Sequence, residues 1–567
     1  VLNWIKKYWL ELVTFGAIST VLFICQSPEI TWINTDSDGV HYIYSAKYLY
    51  PAHKSSAPLY LLLGNVFLRI PFATEAWRMA LISVLSGMVG SILIYLCIRH
   101  FTNKRLYGIA GALIYGSSAL AISQNTIVET YPLVTTVSLA MYYFAIKSKW
   151  KLSALMVGIS GAIHPISVMA SVPLLIKYKE LRQWKQLLIA GVFVLFYLYI
   201  PLTNRAPYMW NAPNSTGGLG GFLIDTFATA QMLTGGLSIW DFPKRLLDTV
   251  LQLSLSFHVG IVVLVWFMIK GGKEVRLLAW LIALPIIYYA TDLAPQTYVY
   301  MQPSIAFGAI AIGIGLSRIG FSYAGSYLPR WNTKLATYSI IGVSGLMLVY
   351  NGNYFDIGRT LDSGLSARKF YNEELTKVPD GQILLAQQGW EWAMVYPYNK
   401  NENRNIIPVN PGSFASPKYQ AILKSWGIAF ELPEEKVTLV KLQDFILHSI
   451  LKNNENVWIT IPEDTRTYGA TIVPYKGNEN RLTQTPISVT DGSMDMKWQW
   501  KPSNPYDITT GAIEVDEWVY IVFSNYSMLT FFMMGMIGVV PVWIGWMLFV
   551  RKKKWSTSKV KEVVYEH

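Results

Sequence analysis

The sequence predicts a polytopic α-helical membrane protein with one small α/β domain outside the bilayer. Three observations carry that prediction. Of 567 residues, 52% are hydrophobic and only 14% charged, against roughly 25% charge in a soluble globular domain. Apolar runs of the length a helix needs to cross lipid, about 20 residues, recur along most of the chain. Basic residues collect in the gaps between those runs rather than along them. A mean hydropathy of +0.31 and 21 Trp leave too little polar surface to cover such a chain in water. A soluble enzyme, a disordered scaffold and a nucleic-acid-binding protein are thereby excluded. The net charge of +12 belongs to short loops, where it fixes membrane orientation. Cys25 and Cys97 both lie inside apolar runs and can build neither a disulfide framework nor a zinc site.

Taken in order, the runs fall near 9–28, 77–99, 106–124, 131–146, 152–176, 186–202, 250–269, 276–291, 301–317, 335–350 and 526–550. The first has no small-residue cleavage site after it and reads as a retained span. The run 152–176 has the length of one span, but His164-Pro165 interrupts it. Charge decides how it crosses. Basic clusters stand at Lys6-Lys7, Arg99 to Arg105, Lys147 to Lys151, Lys177 to Lys185, Lys270 to Arg276, Arg318 to Lys334 and Arg551 to Lys554. All can be cytoplasmic only if 152–176 forms two half-helices that turn back at His164-Pro165. That arrangement gives about twelve spans with both termini cytoplasmic. A single crossing would put Lys177, Lys179, Arg182 and Lys185 outside.

The outer face then receives loops 29–76, 118–130, 203–249 and 292–300, together with one long polar segment, 351–517. That segment mixes β-type runs (Ile383 to Ala386, Asn405 to Val409, Val457 to Ile461) with a helix-like stretch, Leu439 to Leu451, the pattern of a small α/β domain. The predicted organisation is a transmembrane domain over 1–350, a soluble extracytoplasmic α/β domain over 351–517, a C-terminal span within 518–550 and a basic cytoplasmic tail over 551–567.

Candidate chemistry gathers in the outer loops. The first carries Asp36, Asp38 and His41, an aromatic helix-like run from Tyr42 to Tyr50, then His53 and Lys54. Two carboxylates just beyond a span suit deprotonation of a hydroxyl or capture of a divalent cation. His53 and Lys54 suit a phosphate leaving group through charge and hydrogen bonding. The plainer reading is that Asp36 and Asp38 cap a helix while His53 and Lys54 sit among headgroups. Glu129 and Tyr131 stand at the mouth of a span, where an ionisable group needs a partner or a water-filled cavity. His164 sits at the half-helix turn. Arg205 could bind lipid phosphate or simply snorkel, and Trp210 with Asn211 follows it. Asp292, Gln296, Tyr298 and Tyr300 line the fourth loop. The charge-derived topology sets Asp38, His53, Glu129, His164 and Arg205 on one face of the membrane.

The order of these motifs resembles a family of polytopic bacterial and archaeal proteins. They share a domain with an animal endoplasmic-reticulum O-mannosyltransferase and belong to the GT-C class of lipid-phosphate-sugar-dependent glycosyltransferases. The family pattern opens with an Asp after the first span, here Asp38, and a His about fifteen residues later, here His53. Pro58-Leu59-Tyr60-Leu61-Leu62-Leu63-Gly64 then follows in register. The family's Glu-Val-Tyr is similar to Glu129-Thr130-Tyr131, and its half-helix turn to Gly158 through His164. Its Tyr-Leu-Pro-Leu-Arg and Trp-x-x-Pro segments resemble Tyr199 to Leu202 with Arg205 and Trp210-Asn211-Ala212-Pro213. The family's Glu three residues after its Asp is His41 here, and its Pro-Pro-Gly after the His is Lys54-Ser55-Ser56.

The resemblance implies a GT-C-like fold and transfer of a sugar, mannose or another hexose, from a polyprenyl-phosphate carrier to a protein or glycan acceptor on the outer face. It implies an inverting displacement with Asp38 as base and Asp36 secondary. His53, Lys54, Glu129, His164 and Arg205 would hold donor phosphate or sugar, and His41, Tyr131, Trp210 and Asn211 would touch substrate. No cofactor or metal is expected, with Mn or Mg kept as the alternative on the Asp36-Ser37-Asp38 spacing. Two other readings stay open. One is a transporter or flippase of lipid-linked glycans, although the ionisable residues gather on one side and no internal repeat is visible. The other is a non-catalytic membrane scaffold.

The charge pattern makes a direct prediction. A cysteine placed at Lys400 is labelled by an impermeant reagent added outside, and one at Arg182 is not. The reverse pattern overturns the orientation.

Overall fold

The computed structural model describes residues 2–29, 38–49, 57–198, 249–250, 252–270, 273–291, 297–322, 331–354, 370–386, 394–395, 398–410, 414, 417–434, 439–462, 470–475, 488–490 and 493–495. Within these it is a polytopic helical membrane fold. Helix α1 is Leu2–Cys25 and α2 Asp38–Tyr48; α3 is Pro58–Phe67 and α4 Glu75–Thr102. The next pair is α5, Arg105–Ser117, and α6, Ala119–Asn125. Then come α7 (Tyr131–Ile146), α8 (Trp150–Ile163), α9 (Val168–Lys177) and α10 (Trp184–Gly191), the last running into a 3-10 stretch Val192–Leu198. Four more follow: α11 (Gly260–Lys270), α12 (Lys273–Thr291), α13 (Gln302–Ser322) and α14 (Trp331–Tyr354). Among the described residues four helices are long and apolar enough to cross a membrane alone, five when the bent pair α5 and α6 is one span. Shorter apolar helices pack between them.

Local sequence explains where the longest helix starts and stops. Thr74 is extended and its hydroxyl accepts from the Trp77 amide at 3.1 Å. Glu75 stands in the first turn and Arg99 in the last, each charge complementing the helix dipole. Asn103 ends α4 in the left-handed region at φ 52°, a conformation that asparagine tolerates.

The ends of the helices alternate in space. Glu11 of α1 is buried and gripped by Arg105 of α5, while the Tyr95 hydroxyl of α4 donates to it at 2.6 Å. That cluster ties three helices at the end of the bundle that carries the basic loops. At the opposite end Gln26 donates to the Trp77 carbonyl at 2.6 Å, and the Ser27 amide to the Thr126 carbonyl at 2.8 Å. Helices α8 and α9 form a hairpin, because Trp150 and Tyr178 at their far ends meet ring to ring at 5.4 Å. The 14 residues of α8 rise about 21 Å, short of a full span. His164-Pro165 therefore turns the chain back, and 147–151 lies at the same end as 178–184. Two further breaks depart from the sequence reading. The run 106–124 bends by 65° between α5 and α6. The run 250–269 is interrupted at His258, whose φ of 48° is a left-handed conformation that stops a helix.

Beyond the bundle, strands β1 (Ile383–Leu385), β2 (Ile407–Val409), β3 (Val457–Pro462) and β4 (Ala470–Pro474) form one sheet in the order β2-β1-β3-β4. The first three are parallel and β4 is antiparallel. Side chains alternate across it, as the pleat requires. Ile383, Leu385, Val457 and Ile459 join a core with Tyr419 and Leu423 of helix Pro417–Ser425 and Ile446 and Ile450 of helix Leu439–Asn453. Leu384 and Ile472 face the other way, into the apolar cluster that also contains Tyr42, Tyr60 and Ile305. One core thus runs from the membrane bundle into the near face of the sheet.

Gly158 is where α8 meets α10. A Cβ there would lie 2.6 Å from the Ala190 carbonyl oxygen, whereas one at Gly161 meets nothing within 4 Å. Gly158→Ala should lower stability by about 1–3 kcal/mol, the usual range for overpacking, and Gly161→Ala should leave it unchanged. Thermal unfolding of the two detergent-solubilised variants checks the pair, and equal midpoints would show the contact to be absent.

Candidate functional site

The candidate residues that the structure describes converge at the end of the bundle opposite the basic loops. Asp38 is the first residue of α2. The next residue, Gly39, lies against the turn before α7, since a Cβ on it would stand 3.6 Å from the Val128 carbonyl oxygen. The N-terminus of α2 and Glu129 are therefore neighbours, although they come from different loops of the chain.

Glu129 is 1% exposed. Its backbone is held from both sides by Ser83 of α4, whose hydroxyl donates to the Glu129 carbonyl at 3.1 Å and accepts from its amide at 3.4 Å. Its carboxylate accepts from the Thr130 amide at 2.5 Å and the Thr130 hydroxyl at 3.3 Å. The buried Tyr60 phenol of α3 lies beside Ser83 and Glu129. A buried carboxyl group needs local donors in place of water, and Thr130 supplies both here.

Tyr131, two residues on, belongs to an aromatic cluster. Its ring lies 5.5 Å from His164 and 5.3 Å from Tyr300, and Tyr300 lies 5.1 Å from Tyr288 of α12. Tyr300 arrives on the short helix Thr297–Met301. His164 occupies the turn between α8 and α9, and its Nδ1 accepts from the Ile166 amide at 3.2 Å. With Nδ1 as acceptor, the neutral imidazole carries its proton on Nε2, so His164 presents an N–H donor beside Tyr131 and Tyr300.

A buried polar network braces the bend between α5 and α6. Gln302 donates to Asn125 at 2.9 Å and to the Tyr115 hydroxyl at 3.3 Å. The carbonyl of Ser117, freed by the bend, accepts from Asn351 of α14 at 2.7 Å.

At the outer edge α2 buries His41 and Tyr44. Burial, with Glu75 nearby, pushes the Tyr44 phenol well above its usual range. Lys47 pairs with Glu75 at 2.8 Å. Burial works most strongly against the Lys47 ammonium, but the hydrogen bond and charge of Glu75, together with Tyr48, outweigh it and hold the group above its ordinary value.

Four of the residues singled out from sequence meet here: Asp38 by its place on α2, and Glu129, Tyr131 and His164 by their side chains. His41 is buried one turn into α2. Asp36, His53, Lys54, Arg205, Trp210, Asn211, Asp292 and Gln296 lie outside the described residues, as does the C-terminal run 526–550. Ser83, Tyr288 and the network of Asn125, Gln302 and Asn351 were not legible in the sequence. A lone Ser inside an apolar run carries no signal, and Tyr60 carried one only through the Pro58-Leu59-Tyr60 motif.

The fold and this one-ended cluster define a multi-helix membrane protein with a polar and aromatic cluster at one end of its bundle. Residues 38–187 match the family model described as the protein O-mannosyl-transferase TMEM260 N-terminal domain, the family that the motifs resemble. No curated protein matches. Among solved structures, the chain is similar to ArnT from Cupriavidus metallidurans bound to undecaprenyl phosphate, with 11% identity over 77% of this chain and 97% of that one, at a TM-score of 0.46. It is also similar to the Archaeoglobus fulgidus oligosaccharyltransferase tethered with an acceptor peptide, with 12% identity over 82% and 70% of the two chains and a TM-score of 0.48.

The His164 contact can be tested apart from activity. An Asn at 164 keeps a side-chain acceptor for the Ile166 amide, whereas a Leu leaves that buried donor unpaired. His164→Leu should lose about 1–3 kcal/mol and His164→Asn clearly less, as read by thermal unfolding in detergent.

Proposed function

We propose that the protein is a membrane glycosyltransferase that moves a sugar, mannose or another hexose, from a polyprenyl-phosphate carrier to a protein or glycan acceptor on the outer face. The observation that carries the reading is the meeting of Asp38's helix end, Glu129, Tyr131 and His164 at the end of the bundle opposite the basic loops. The O-mannosyltransferase description of the family matched by residues 38–187 supports it. In this reading the fold is GT-C-like, with about twelve spans, cytoplasmic termini and an extracytoplasmic α/β domain. Its parts are 1–350, 351–517, 518–550 and 551–567.

Asp38 takes the proton of the acceptor hydroxyl, with Asp36 in support. The acceptor oxygen bonds to the anomeric carbon as the bond from that carbon to the phosphate oxygen breaks, inverting the centre. The electron pair leaves with the polyprenyl phosphate. That oxygen gathers negative charge as the bond breaks, so fixed donors beside it lower the barrier. His164 supplies an Nε2–H, and His53, Lys54 and Arg205 supply charge from the loops around it. Glu129, held by Ser83 and Thr130, orients the sugar, while His41, Tyr131, Trp210 and Asn211 complete the substrate surface. No metal has a step in this scheme. Loss of transfer in chelator with recovery on adding Mn or Mg would replace it with a metal-assisted one.

The three helix breaks near Ser118, His164 and His258 favour a second reading, a flippase of lipid-linked glycans, since transporters build their sites at discontinuous helices. The two separate in one assay. Purified protein in detergent, where there is no second leaflet, is given a polyprenyl-phosphate sugar and an acceptor. Transfer of label is expected, falling about 10²–10⁴-fold in Asp38→Asn. Full transfer by a folded Asp38→Asn protein removes Asp38 from the role. Absent transfer, with translocation of labelled carrier in proteoliposomes, supports the flippase.

A further inference from the structure

Helix α2 is held at both ends. Its first turn rests on Val128 beside Glu129. Its last turn is fixed by three contacts: Asn65 donates to the Ala46 carbonyl at 2.9 Å, Lys47 pairs with Glu75 at 2.8 Å, and Tyr48 meets the α/β unit. The Tyr48 ring stacks on Tyr44 at 6.4 Å, and the Lys400 ammonium lies 4.3 Å from its centre, within the range of a cation–π contact. The Tyr48 hydroxyl points at Asn401 Oδ1, 3.5 Å away, and Asn401 in turn donates to the Tyr371 hydroxyl at 3.0 Å.

The turn that carries Lys400 and Asn401 is itself rigid. Asn399 exchanges two hydrogen bonds with the Ile406 backbone, at 2.7 and 3.0 Å. Arg404 donates to Asp380 and to the Val378 carbonyl, both at 2.6 Å. Ile406 leads directly into β2, so the turn moves only with the sheet. The 11 residues of α2 make a rod of about 16 Å, and a displacement at Tyr48 reappears at Asp38.

We infer that Tyr48 is a positioning residue: the Lys400 contact on its ring fixes the C-terminal end of α2 and so sets where Asp38 stands at the other end. The α/β unit thereby governs the site without touching substrate. This rests on reading Asp38 as the base. A displacement of about 1 Å at a reacting group can cost on the order of 10²-fold in rate. Loss of the Lys400 contact should therefore show in turnover far more than in donor affinity or stability.

The test uses the purified full chain with a polyprenyl-phosphate sugar. Lys400→Met and Tyr48→Leu should lower kcat about 10-fold or more, within that limit, with the donor KM and the thermal midpoint close to wild type. Lys400→Arg, which keeps a cation over the ring, should restore turnover. Wild-type kcat in Lys400→Met, or a loss that Lys400→Arg does not repair, overturns the proposal. If the wild-type protein itself transfers no sugar, the glycosyltransferase reading has failed, and the contact is read by crosslinking. The pair Tyr48→Cys with Asn401→Cys should then be bridged within one chain by a bis-maleimide whose spacer replaces the reach of the phenol ring, Cys25 and Cys97 both being buried. A trapped pair upholds the seating of α2 on the α/β unit, and an untrapped pair overturns it.

Discussion

A backbone carbonyl or amide freed inside a bilayer finds no water, and each one left unpaired costs several kcal/mol. The rest of the structure follows from that constraint. Straight helices satisfy it by themselves, but each break frees backbone groups that need a new partner, near or far along the chain. At the bend after Ser117 the partner is Asn351, 234 residues away in the chain. At the turn after α8 it is the His164 ring, which accepts from the Ile166 amide. The bend after Ser117 is therefore also a point where distant helices are tied together, whereas the turn at His164 is closed locally.

The same rule applies to side chains. Glu129 is buried beside apolar helices, yet Ser83 and Thr130 hold its backbone and side chain. Tyr131, Tyr288 and Tyr300 pack there with rings that carry both an apolar body and a hydroxyl. Such an arrangement tolerates little movement, which is why the seating of α2 matters. The sheet beyond the bundle offers one face to its own helices and the other to the membrane core, so it serves as a wall against which α2 is set.

The sequence alone determined most of the architecture, because its signals are local. Composition required lipid, and apolar length located the four described helices that are long enough to cross alone. Basic clusters together with His164-Pro165 required the hairpin that Trp150 and Tyr178 display. Alternation at Ile383 to Leu385 and Val457 to Ile459 marked strands whose faces separate as the pattern implies. Motif order placed Asp38, Glu129, Tyr131 and His164 in one family register.

Tertiary structure alone decided what each of those residues touches. That Ser83 clasps Glu129, that Asn351 covers Ser117, and that Lys400 lies over Tyr48 are contacts between residues 46, 234 and 352 positions apart in the chain. The break at His258 belongs with them, since nothing in an apolar run announces a left-handed histidine. Periodicity and charge report which solvent a residue faces. They do not report which neighbour it meets, because that is fixed by how whole helices pack.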